Sequence, residues 1–216
     1  MNRKSMFITL EGIEGSGKTT QVSNIVKFLK EKGHACVITR EPGGTEIGKQ
    51  IRAILLNPIH KDLDPLAELL LYAADRAQHM KSIIKPQLSA GKTVICDRFF
   101  DATTVYQGFA RGLDMEVINQ LHRIVLDSIK PDLTLLFDLP VEVGLGRAWN
   151  CLDNGSRAIQ ECRFEKETLV FHEKVRSGYL SLAKQEPNRF QIINASNDET
   201  KVFQEIIIAL THNMKK

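Results

Sequence analysis

The sequence predicts an α/β fold, a parallel sheet covered on both faces by helices, in a single domain spanning residues 1–216. Three observations predict it. Short apolar or β-branched runs alternate with longer stretches of helical spacing, the order that parallel strands with crossover helices require. A glycine-rich turn, Gly12-Ile13-Glu14-Gly15-Ser16-Gly17-Lys18-Thr19, joins the first run to the first helical stretch. A length of 216 residues, with 43% hydrophobic and 25% charged, suits one buried core.

In chain order, Met6–Leu10 is the first strand, and Gln21–Lys32 is a helix stopped by Gly33. Ala35–Thr39 is the second strand. Leu66–Leu88 has helical spacing, opens with Asp64 as N-cap and Pro65 as first helical residue, and stops at Gly91. Thr93–Cys96 is a third strand, Met115–Ser128 a helix and Leu133–Phe137 a fourth strand. The stretch Arg147–Arg163 is polar and carries the turn Asn154-Gly155-Ser156, which reads as a mobile loop, a lid over about residues 147–163. Phe164–Lys184 resumes helical spacing, Phe190–Ile193 is a fifth strand, and a last helix lies near Lys201–Leu210.

Charge and composition exclude several classes of function. The net charge is +3, and the basic residues are scattered instead of running in blocks, so nucleic acid is not an expected partner; a small anionic ligand is. Cys36, Cys96, Cys151 and Cys162 form no CxxC pair and read as reduced, structural thiols. The six histidines show no metal-ligand spacing. Glu11 follows Met6–Leu10 at once, so no apolar signal segment forms, and no run approaches the ~18 apolar residues of a membrane helix. The expected location is cytoplasmic.

The glycine-rich turn fits GxxxxGK followed by Ser or Thr, the P-loop, in its required place between strand and helix. Glycines let main-chain amides turn inward around phosphate oxygens, the helix N-terminus adds positive potential, Lys18 reaches the terminal phosphates, and Thr19 holds Mg²⁺. The expected cofactors are therefore ATP and Mg²⁺. Glu14 is out of place in an anion cradle: either it points to solvent or it faces a second ligand that offers a hydroxyl. Asp97-Arg98 ends the third strand at the carboxyl edge of the sheet, where open α/β proteins bind ligands. An acid there assists Mg²⁺ through water, and the guanidinium grips an acceptor phosphate; the alternative is a surface ion pair. Arg76 lies in the apolar stretch Leu69–Arg76 and needs a partner once buried, either a ligand or an acid such as Asp75.

The blocks EGIEGSGKTT, TREPGGT, YAADRAQH, DRFFDATTVYQG and RFEKE, in that order and spanning nearly the whole chain, resemble the bacterial thymidylate kinases. That resemblance implies a three-layer P-loop kinase fold with a five-stranded sheet in the order 2-3-1-4-5. It implies transfer of the γ-phosphoryl group of ATP to dTMP, in a homodimer. On the donor side it implies Gly12, Glu14, Gly15, Ser16, Gly17, Lys18, Thr19, Thr20 and Arg147, with Thr19 and Asp97 toward the metal. On the acceptor side it implies Glu41, with Arg52 and Arg98 on the phosphate. Tyr72 stacks on the base, and Arg76 binds the thymine carbonyl. Thr103 and Gln107 lie at the pyrimidine edge, Tyr106 against the sugar, and Glu14 by the 3′-hydroxyl. Departures from the family pattern are Ala102, Cys162 and Tyr72.

Phosphoryl transfer needs two phosphates aligned and their charge neutralised more than it needs a base. Lys18, Asp97 and Arg98 supply part of this, and the lid residues Arg147, Arg157 and Arg163 are expected to supply more; an arginine on the transferring group is worth ~10³–10⁵ in rate. Two other readings share the P-loop: a kinase for another small acceptor such as dUMP, and a nucleotide-driven switch. The second is disfavoured by the lack of an NKxD motif.

Overall fold

The computed structural model describes residues 5–155 and 158–214. Among them, β1 (Phe7–Glu11), β2 (Cys36–Arg40), β3 (Thr93–Asp97), β4 (Leu133–Asp138) and β5 (Phe190–Asn194) form one parallel sheet in the order β2-β3-β1-β4-β5. Each strand runs one residue further at its C-terminal end than its apolar run alone indicates. The register pairs Leu10 and Arg40 with Asp97, Glu11 with Leu136 and Asp138 with Asn194, so the charged strand ends share one edge.

The alternation along the strands separates two cores. Ile8 and Leu10 of β1 and Ile95 of β3 join the larger core with Ile25, Leu29, Val175 and Ile206; Phe7, Val94 and Cys96 face the other way, onto Met80, Ile84 and Phe99. Helices must therefore cover both faces, which gives three layers. They are α1 (Lys18–Glu31), α2 (Glu46–Leu56), α3 (Pro65–His79), α4 (Lys85–Ser89), α5 (Phe100–Thr103), α6 (Met115–Leu126), α7 (Val141–Asp153), α8 (Leu169–Gln185) and α9 (Glu199–Asn213).

Three sequence expectations are corrected. The Leu66–Leu88 stretch is not one helix: a π-helical turn, Met80–Ile84, separates α3 from α4, where Pro86 has no amide hydrogen to continue the ladder. The Phe164–Lys184 stretch turns helical only at Leu169, where the Thr168 hydroxyl caps the Phe171 amide at 3.2 Å. Arg147 does not lie in a loop; it sits on α7, whose inner stripe Val141, Gly144, Ala148 and Leu152 is buried at helical spacing. Beyond α7 come Gly155 at φ 73° and a short 3₁₀ turn at Ile159–Glu161. Arg157 lies outside the described residues.

Candidate active site

The P-loop follows β1 and closes against α7. Gly15 sits at φ 66°, and a Cβ there would come within 1.9 Å of the Gly144 carbonyl oxygen, so only glycine allows this approach. Gly17, in the left-handed region, precedes α1 with no side-chain cap, which leaves the first amides of the helix for an anion. Lys18 folds over the loop: Nζ donates to the carbonyls of Gly12 and Ile13, each at 2.9 Å, and to Ser16 Oγ at 3.0 Å. Burial, then the nearby Arg98 charge, pull the Lys18 ammonium down to about 8. Thr19 and Thr20 are exposed at the same mouth.

Arg98 leaves β3 at φ 66°, its amide donating to the Leu10 carbonyl at 3.0 Å. That turn aims the guanidinium back over β1, where it donates to the Gly12 carbonyl at 2.6 Å and to Glu14 Oε1 at 2.9 Å. Tyr106 donates its hydroxyl to the same Glu14 oxygen at 2.7 Å, and His172 Nδ1 lies 3.4 Å from the other. Burial alone would raise the Glu14 carboxyl, but Arg98, His172 and Tyr106 outweigh it and hold it well below the carboxylate range. Glu14 therefore faces inward and does not point to solvent. Asp97 ends β3 beside this cluster, with Oδ1 buried and making no hydrogen bond among the described residues.

The second half of the cleft is built by α3 and the segment after β3. Arg76 is 2% exposed, and its partner is an acid other than Asp75: Nε donates to Glu41 Oε2 at 2.7 Å, and NH2 donates to the Phe99 carbonyl at 3.2 Å and Thr103 Oγ1 at 3.0 Å. His79 Nδ1 holds the second Glu41 oxygen at 2.8 Å, while the Gly43 amide donates to Asp75 at 3.1 Å. Burial and then Glu41 push the Asp75 carboxyl up to about 6. Tyr72 lies one turn before Arg76 on the cleft wall, and burial raises its phenol. A π-helical turn, Thr104–Ala110, brings Tyr106 and Gln107 to the wall; it is kept tight by Gly108, where a Cβ would stand 2.5 Å from Met115 Sδ.

These residues enclose a continuous cleft of about 960 Å³ over the carboxyl edge of the sheet. It is lined by P-loop residues from Glu14 to Thr20, by Glu41, Arg52, Tyr72 and Arg76, by Asp97, Arg98, Thr103, Tyr106 and Gln107, and by Arg147. Gly12 supports the lining from behind through its carbonyl. Arg52 is clasped by Glu161, at 2.9 Å through Nε and 2.7 Å through NH2. Arg147 donates to the Ala195 carbonyl at 3.0 Å. Arg163 does not reach the cleft in this arrangement: it is 8% exposed and bonds the Leu55 carbonyl and Glu68.

Sequence reasoning missed a supporting layer. Glu11, fully buried, accepts from the Phe99 amide and the Tyr179 hydroxyl, each at 2.7 Å; burial and then Asp101 push it up to about 8. Glu68 receives Gln107, Arg111 and Arg163. One signal was available for Glu68: it stands four residues before Tyr72 and eight before Arg76, on the same helix face. His172 carried no such signal.

A family model described as thymidylate kinase matches residues 10–206 of the chain. A thymidylate kinase of Desulfosudis oleivorans is 57% identical over 95% of this chain and 96% of its own length. One from Desulforapulum autotrophicum is 54% identical over 97% and 92%. The crystal structure of thymidylate kinase from Ehrlichia chaffeensis superposes with a TM-score of 0.75 at 37% identity, over 96% of this chain and 98% of that one.

Proposed function

The chain belongs to the thymidylate kinase family, and from that membership we propose how this cleft performs the family's reaction. The reaction is transfer of the γ-phosphoryl group of ATP to dTMP, giving dTDP and ADP. The observation that carries the reading is that two cations converge on one main-chain oxygen. Lys18 Nζ and Arg98 NH1 both donate to the Gly12 carbonyl, at 2.9 and 2.6 Å, one from the P-loop side and one from β3. Two phosphates that replace those bonds would be brought end to end, as in-line transfer demands.

On the donor side, the amides of Gly15, Ser16 and Gly17 cradle the phosphates, Gly12 gives the loop its turn, Lys18 neutralises the terminal charge, and Thr20 and Arg147 flank the nucleotide. The residues fit Mg²⁺: Asp97 offers a buried carboxylate oxygen with no hydrogen bond among the described residues, and Thr19 a hydroxyl at the cleft mouth. One carboxylate plus substrate phosphates is the usual magnesium environment, and the ion supplies charge neutralisation when bound.

On the acceptor side, Arg98 and Arg52 take the dTMP phosphate, with Arg52 exchanging Glu161 for it. Tyr72 stacks on the base, and Arg76, locked by Glu41, presents its fork to the pyrimidine with Thr103 and Gln107. Glu14 accepts from the sugar 3′-hydroxyl, and Tyr106 crowds the 2′ position. Arg163 adds positive charge to the transferring group by leaving Glu68, and Arg157, outside the described residues, adds to it in the same role. Residues 1–216 act as one domain.

A cytoplasmic homodimer completes the reading. No helix among the described residues is long and apolar enough to cross a membrane. Leu66 and Leu70 on α3 and Val117 and Ile124 on α6 are exposed apolar side chains that a second copy would cover. The test is transfer from ATP to dTMP, dUMP, UMP, CMP and AMP, with wild type and Tyr106→Ala, the dUMP and UMP pair differing only at the 2′ position. We expect dTMP to be the best acceptor, and the variant to lose discrimination against ribonucleotides. Equal turnover of CMP or AMP by wild type would remove the assignment of the acceptor half, and unchanged discrimination would remove Tyr106 from it.

A further inference from the structure

We propose that Glu68 decides which pyrimidine the cleft accepts, by fixing which end of the Gln107 side-chain amide faces the base. The inference rests on the reading above, in which Gln107 lies at the pyrimidine edge.

Glu68 is fully buried on α3, yet it is crowded with donors. Its Oε1 accepts from Gln107 Nε2 at 2.7 Å and Arg111 Nε at 2.9 Å, and its Oε2 from Arg163. Burial would raise the carboxyl, but the hydrogen bond and charge of Arg111 and the charge of Arg163 lower it on balance. An ionised carboxylate accepts hydrogen bonds and donates none. Gln107 must therefore give Glu68 its NH₂ end, because the opposite orientation would set a carbonyl oxygen against a carboxylate oxygen.

The consequence lies at the other end of the amide. Gln107 is 1% exposed, and its Oε1 is buried without a hydrogen bond among the described residues. A buried acceptor left unpaired is destabilising, and a ligand donor recovers that loss. Gln107 shares the cleft wall with Arg76, a pure donor. The wall thus offers an acceptor and a donor together. Thymine presents the complement, its N3–H beside O4. Cytosine presents N3 as acceptor and an amino group as donor, and so meets like with like at both positions. Uracil shares thymine's edge, so Glu68 separates dTMP and dUMP from dCMP and does not separate the first two.

The experiment compares kcat/KM for dTMP, dUMP and dCMP in wild type, Glu68→Gln, Glu68→Asp and Gln107→Met. Glu68→Gln lets the two amides pair either way round, so the dCMP:dTMP ratio should rise about tenfold or more, with the dUMP:dTMP ratio unchanged. Glu68→Asp keeps a buried negative charge but draws the carboxylate back by one methylene from the Gln107 amide and from Arg111, which share Oε1; it should move the ratio the same way, and stands in should Glu68→Gln fail to fold. A purely structural role would lower all three acceptors in parallel, and that result overturns the proposal. Gln107→Met deletes the acceptor itself and should also raise the dCMP:dTMP ratio. If it does and the Glu68 variants do not, Gln107 reads the base unaided and the role of Glu68 falls alone. If Gln107→Met leaves the ratio as in wild type, Gln107 does not face the base and the acceptor reading falls with the proposal.

Discussion

Lys18 shows how much a single side chain carries. Its ammonium is buried, next to Arg98, and pulled down to about 8, so the loop by itself already favours losing the proton. A triphosphate favours the charged form. Binding should therefore take up a proton increasingly above pH 8, and ATP affinity should weaken by up to about tenfold per pH unit there. Calorimetric titrations between pH 7 and 9.5 in buffers of different ionisation enthalpy would read this directly. Lys18→Ala should lose turnover by orders of magnitude and flatten the profile; a flat profile in wild type would contradict the shift. Lys18, Arg98 and Arg76 were legible in the sequence because each stands in a local pattern: a loop motif, a strand end, an apolar helix that needs a reason for its charge. The layer behind them was not. Glu68 takes its meaning from Gln107 and Arg111, 39 and 43 residues away, and no spacing rule reports such a meeting.

Between elements, the decisive contact is the P-loop against α7. Gly15→Ala would drive a methyl into the Gly144 carbonyl at 1.9 Å and also strain a backbone at φ 66°. We expect it to cost about 2 kcal/mol or more of stability, together with ATP binding. Gly17→Ala meets nothing within 4 Å and bears only the left-handed backbone cost, about 1–2 kcal/mol. Thermal unfolding and ATP binding of the two variants check the contrast; equal effects would mean that the α7 contact is unimportant. Helix α7 is also where sequence reading failed most clearly. Its outer face carries Glu142, Trp149, Asn150 and Asp153, and its inner stripe uses small residues, Gly144 and Ala148, that score weakly as hydrophobic. The strands were legible since each is a compact apolar run, and the π-helical turns were not, being set by Pro86 and by packing at Gly108.

For the molecule as a whole, Glu11 ties the central strand to the chain after β3 and to Tyr179 of α8. Its carboxyl is pushed up to about 8 by burial and Asp101. Because the folded state then binds a proton that the unfolded chain releases near the ordinary glutamate value of 4.5, this group's contribution to stability is complete below that value and is lost as pH rises to about 8. The slope approaches about −1.4 kcal/mol per pH unit in that window. Glu11→Gln should remove the slope in chemical denaturation measured from pH 5 to 8.5; an unaltered slope would assign it to other groups. Alternation along the chain was enough to read a parallel sheet, but strand order is a long-range property that came only with the likeness of whole sequence blocks to a family.

That order also bears on how the protein emerges from the ribosome. β1 pairs with β3 on one side and β4 on the other, so the β2-β3-β1 half can assemble once residue 97 is out. Until residues 133–138 have emerged, the second edge of Phe7–Glu11, every residue of which ends up buried, has no neighbour. A nascent chain stalled in that interval displays an apolar, unpaired ribbon, the kind of surface that invites chaperones or aggregation.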